Sequence, residues 1–117
     1  MNAAISIAIP VALIFAALGT GKLLALTPMR HLATEAGFSV DAYRRIGALE
    51  LAGAIGVAAG VALPLLGRLA AGGLLVLLAG ALVTHVRNGD GLRKYAPVVV
   101  CAVLVAGYLV ALKGATA

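Results

Sequence analysis

Polar positions along this chain are gathered into short clusters, and the stretches between them stay apolar over long runs. Residues 3–21 carry no charge, and the apolar run continues past Lys22 to Leu26. A second run extends from Ile46 to Leu66 with Glu50 as its only charge, and a third from Leu69 to Val86 with His85 near its end. The fourth, Ala96 to Leu112, is uncharged throughout. At a helical rise of about 1.5 Å, runs of roughly 17–24 residues cover roughly 26–36 Å, enough for a hydrocarbon core of about 30 Å. A soluble bundle would place polar residues at helical spacing on its outer faces, whereas these segments are apolar all round. The pattern predicts an all-α polytopic membrane protein, a four-transmembrane-helix bundle in a single domain over residues 1–117, with helices at about 3–26, 44–66, 68–87 and 95–113.

The connections carry their own signals. Thr27-Pro28 is expected to end the first helix, because proline disfavours helical geometry in the residue before it. The loop that follows is long enough for a short interfacial helix over about Met29 to Glu35, closed by an Ala36-Gly37 break. Ser39 or Asp41 suits the N-cap of the second span. Pro64 and Gly67 read as a tight turn into the third, and Arg87-Asn88-Gly89-Asp90-Gly91 as a polar turn before the fourth, which Tyr95 anchors at the interface.

Composition supports this reading. Only 11% of the residues are charged, against about 25% in soluble domains, so the chain could not cover its own surface with polar groups. The net charge of +5 would hint at nucleic acid in a soluble protein. Here no basic stretch is interleaved with aromatics, and the bases flank apolar spans, so the lipid bilayer is the expected partner and nucleic acid is not. Four spans put both polar loops on one side, with Lys22, Arg30, Arg44, Arg45, Arg87, Arg93 and Lys94; the other side has Arg68 and Lys113. The positive-inside rule then predicts a multi-pass protein of the cell membrane with loops 27–43 and 88–94 in the cytoplasm and both termini outside. No base precedes the first apolar run, which is too long for the core of a cleaved signal, so it reads as a retained span. The one cysteine, Cys101, excludes an internal disulfide or a Cys-x-x-Cys redox pair.

Six polar residues, Lys22, Arg45, Glu50, Thr84, His85 and Arg87, lie at the same ends of three spans. Intramembrane ionisable groups mark functional sites by default. A lone buried carboxylate is costly, so Glu50 should be neutral or paired. Gly47, Gly53 and Ala54 share its helical face, which points that face into the bundle. Lys22 shares a face with Gly19 and Phe15 at similar depth, so a Lys22–Glu50 ion pair is expected, with His85 or Arg45 as a third member. The pair reads equally as a proton-titrating or anion-binding site and as a buried contact that sets helix register. His85 can hydrogen-bond a ligand, relay a proton or cap the third span. No haem or metal is expected, because no second histidine lies at span depth and no helix carries ligands at metal spacing. Arg87 also complements the dipole at that helix end. Gly56-x-x-x-Gly60 with Gly53, and Gly72, Gly73 and Gly80 on the third span, offer close packing, within the chain in preference to a homo-oligomer seam.

The ordered set Gly19-x-x-Lys22-Leu23, Arg45-Ile46-Gly47-x-x-Glu50-Leu51 and Gly80-Ala81-x-x-Thr84-His85-x-Arg87, followed by Gly89-Asp90, resembles the DoxX-like membrane proteins across essentially the whole chain. The resemblance implies four membrane helices with Lys22, Arg45, Glu50 and His85 at shared polar positions, Arg44 being an alternative occupant of Arg45's place. In the wider group it implies links to quinone-dependent oxidation of sulfur compounds, to oxidative-stress complexes and, in distant relatives, to receptor assembly or cargo export.

Three functions stay open. The first is a membrane-embedded site for a quinone or similar apolar carbonyl compound, with His85 or Lys22 donating a hydrogen bond and Glu50 handling the proton. Electrons would come from a membrane or soluble redox partner, since the chain has no cofactor ligand set of its own. The second is an accessory or assembly protein without turnover. The third is a proton-coupled small-molecule exporter, although its carboxylate lies in the second span and aromatics are few.

Overall fold

The computed structural model of the protein describes residues 2–116, with side chains over 3–114, and in that range the chain is all-α. It forms five helices: α1 Asn2–Leu23, α2 Thr27–Ala36, α3 Val40–Gly60, α4 Pro64–Arg87 and α5 Leu92–Thr116. α2 is the short helix anticipated in the first loop, and the other four are the long helices expected from the apolar runs. Three helices, α1, α4 and α5, are long and apolar enough to cross a membrane. α3 does not join them, because Asp41, Arg44, Arg45 and Glu50 interrupt it and its remaining residues are mostly alanine and glycine.

The boundaries move for local reasons. α1 stops at Leu23, before the expected Leu26, because Ala25 adopts a left-handed conformation (φ 51°) and Leu26 N–H returns to the Gly21 carbonyl at 3.1 Å. Pro28 therefore opens α2 instead of closing α1, in the first turn, where its missing N–H costs nothing. Gly37 ends α2 at φ 83°, the conformation glycine adopts without a Cβ penalty. Ser39 caps α3, its Oγ accepting from Ala42 N–H at 3.1 Å. The turn between α3 and α4 is Val61–Leu63, so Pro64 is already the first residue of α4 and Gly67 lies within it.

The four long helices close in a ring, α1 on α3, α3 on α4, α4 on α5 and α5 back on α1, while α2 rests on α3 and α1. Small residues set the close approaches. Gly19 and Gly47 let the α1 and α3 backbones meet, Gly53 admits Leu74, Gly56 faces Ala70, and Gly60 meets Gly67. Where Gly60 and Gly67 leave room, the phenol of the fully buried Tyr108 enters from α5. It donates to the Val57 carbonyl at 2.7 Å, satisfying a polar group in the core. At Gly72, Gly73 and Gly80, by contrast, there is open space where a side chain would stand. Gly80 therefore takes no part in packing between these helices.

Candidate functional site

α1 and α3 cross through Gly19 and Gly47, and this crossing brings Lys22 and Glu50 together. Lys22 Nζ lies 2.6 Å from Glu50 Oε1, with 12% and 6% of the two side chains exposed. At that burial the carboxylate depends on its partner, since an uncompensated charge in a low-dielectric interior is strongly destabilising. The third member of the group is neither His85 nor Arg45. It is Tyr43, whose ring centroid lies 4.9 Å from Lys22 Nζ, within cation–π range. Tyr43 precedes the apolar stretch that begins at Ile46. It offers Lys22 the face of its ring.

α2 closes this group from outside. Ala33 is buried and the Met29 side chain lies against Gly21. The space enclosed by Lys22, Met29, Ala33 and Tyr43 has no room for a water molecule. Among the described residues, no buried side-chain polar atom lacks a hydrogen-bond partner.

His85 belongs to a second group. Gly89, at φ 71°, turns the chain so that Asp90 N–H meets the His85 carbonyl at 2.9 Å and Asp90 Oδ2 meets His85 Nδ1 at 2.7 Å. Lys94 lies 3.7 Å from Asp90 and 3.8 Å from Glu35 of α2. Asn88 Nδ2 also donates to the Glu35 carbonyl at 3.3 Å. Thr84 turns back on its own helix, donating to the Gly80 carbonyl at 2.9 Å. Arg45 and Arg87 are exposed and enter no ion pair among the described residues. Arg44, beside Arg45, does bind across helices, its Nε donating to the Leu23 carbonyl of α1 at 3.0 Å.

The six expected residues thus divide: Lys22 and Glu50 form one buried pair, His85 faces Asp90, and Thr84, Arg45 and Arg87 join neither. Tyr43, Asp90, Glu35 and Lys94 were missed. Tyr43 was within reach of sequence reasoning, because it stands seven residues before Glu50 and so shares its face. Asp90 was not, since its approach to His85 depends on the turn at Gly89. No three His, Cys, Asp or Glu side chains gather as a metal site requires among the described residues. A separate groove of about 410 Å³ lies between α1 and α3, lined by Ile5, Ile9, Leu13, Ala58 and Val61. Its lining side chains are all apolar, and its nearest α1 residue, Leu13, is about 13 Å along the helix from Lys22.

Long apolar helices around a buried ion pair define a multi-pass membrane protein with a lipid environment. The DoxX-like family model matches residues 6–107, and the chain belongs to that family. No curated protein and no solved structure matches it.

Proposed function

We propose that the protein crosses the cell membrane four times, with α3 as the fourth span, and acts without turnover of its own as an accessory or assembly subunit. The span count is supported by the contacts of Glu35 with Asn88 and Lys94. They hold α2 at the same end as the α4–α5 turn, so α3 must return the chain to the far end before α4 begins. Its 21 residues cover about 31 Å, enough for that crossing. The charge bias puts that end in the cytoplasm.

The observation that carries the accessory role is the closed state of the Lys22–Glu50 pair. Each charge satisfies the other, Tyr43 covers the ammonium, and α2 fills the space above. A proton-coupled exporter would need its carboxylate open to a substrate cavity, whereas Glu50 faces Lys22. The group is suited to fixing the angle between α1 and α3, which leaves function to the outer faces of the bundle. Crosslinking in native membranes, followed by mass spectrometry, tests this. A reproducible partner whose assembly falls when the protein is deleted is the expected result. Capture of this chain alone would remove the reading.

One observation favours a second reading, a site for a quinone or similar apolar carbonyl compound beneath α2. The short helix is flanked by left-handed residues, Ala25 and Gly37, and its one buried residue is Ala33. Its displacement would open Lys22 and Glu50 to the lipid interface. Solvent extraction of protein purified from its native membrane separates the two readings. A quinone recovered near one per chain, and lost in Glu50→Ala, would favour the second.

A further inference from the structure

The carboxylates on the basic side of the protein are unevenly shared. Glu50 is taken by Lys22, and Glu35 and Asp90 by Lys94 and His85. Asp41, three residues before Arg44, makes no ion pair with it. Arg30 and Arg44 are therefore left without an acidic partner among the described residues, and both are exposed.

These two arginines are nonetheless held in place. Arg30 Nε donates to the Ala25 carbonyl at 3.0 Å, and Arg44 Nε donates to the Leu23 carbonyl at 3.0 Å. One comes from α2 and the other from α3, and they grip carbonyls two residues apart in a single turn. Each bond uses only the Nε–H, leaving the Nη forks without a partner among the described residues. A guanidinium fork is matched to the oxygens of phosphate. Capping the end of α1 explains the Nε bonds, and it leaves two positive charges at one turn without a neutralising acid among the described residues.

Beside them the turn exposes apolar surface. Leu24 is 64% exposed, Leu26 50% and Leu32 44%. Since α1 is an apolar span that ends at this turn, the arginines lie at the depth of lipid headgroups, with the leucines available to acyl chains.

We propose that Arg30 and Arg44 form a binding site for the phosphate of an anionic phospholipid, seated on the α1–α2 turn. The phosphate accepts from both Nη forks, and Leu24 and Leu26 lie along the upper acyl chain. The leucines favour a lipid over free phosphate, which would gain nothing from them. The inference rests on α1 crossing the membrane, and not on the span count or the accessory role.

The test is native mass spectrometry of the full chain in detergent, comparing phosphatidylglycerol with phosphatidylcholine of identical acyl chains. Preferential retention of phosphatidylglycerol is expected. Arg30→Gln and Arg44→Gln should each lower it about fivefold, the value of one interfacial base, while Arg93→Gln on the same side leaves it unchanged. Arg44→Gln also removes a bond to α1, so thermal unfolding is followed in parallel. Arg30→Gln, whose bond is local to the turn, carries the test alone if that variant does not fold. Equal retention of the two lipids, or an equal loss in Arg93→Gln, would overturn the site in favour of diffuse charge. Displacement of phosphatidylglycerol by millimolar inorganic phosphate would overturn the lipid assignment and make the turn a site for free phosphate.

Discussion

At the scale of single residues, the buried ion pair is a mutual dependence more than a source of stability. Replacing one member leaves the other charged and desolvated, at a cost of about 3–5 kcal/mol, while replacing both with apolar side chains of similar size is often neutral. Glu50→Ala should therefore lower the unfolding free energy in detergent by about 3–5 kcal/mol. The double variant Lys22→Met, Glu50→Leu should recover most of that loss. Thermal and denaturant unfolding of the three proteins checks this, and a double variant as unstable as the single one would contradict it. Tyr43→Leu should remove about 0.5–2 kcal/mol, the range of a cation–π contact, and the same unfolding measurements will read it. The Lys22–Glu50 pairing was legible in the sequence because both residues stand at similar depth on glycine-lined faces. The separation of His85 from that pair was not, because Asp90 reaches it only through the conformation at Gly89.

At the scale of the helices, two sets of glycines with similar sequence surroundings have opposite roles. A methyl group at Gly47 would collide with Lys22 Cβ and the Gly19 carbonyl, and one at Gly60 with Gly67 and the Tyr108 hydroxyl. Gly47→Ala and Gly60→Ala should each cost about 1–3 kcal/mol, as overpacked cores do. Gly73 and Gly80 meet open space, so Gly73→Ala and Gly80→Ala should be neutral or stabilise by up to about 1 kcal/mol through helix propensity. Unfolding midpoints of the four variants give the comparison, and a loss at Gly80 as large as that at Gly60 would show that a partner covers this face. Both sets look alike in the sequence because a small residue signals only that close approach is allowed. Whether a neighbour uses the opportunity depends on how each helix is rotated about its axis.

For the molecule as a whole, α3 decides how many times the chain crosses the bilayer. If α3 crosses, α2 and the α4–α5 turn share one side of the membrane; if it does not, they lie on opposite sides. Thr34→Cys and Asn88→Cys, each in a Cys101→Ala background, distinguish these arrangements. Both should be shielded from an impermeant thiol reagent in intact cells and react after permeabilisation. Labelling of both in intact cells would reverse the orientation, and labelling of only one would exclude α3 as a span.

Some of this architecture is a property of the sequence alone. Helical class and a membrane environment follow from the length and apolarity of the runs, and the caps at Gly37 and Ser39 from backbone preferences that act over a few residues. These are local effects, complete before any helix meets another. Other features were decided only when the helices packed. They include the placement of α3 between α1 and α4, the entry of Tyr108 between Gly60 and Gly67, the choice of Tyr43 over His85 beside Lys22, and the closure of α2 over the pair. In a soluble protein the contrast between apolar and polar faces reveals which side of a helix turns inward. Here lipid and protein interior are equally apolar, so that contrast is missing and the inward face emerges only from how the side chains fit together.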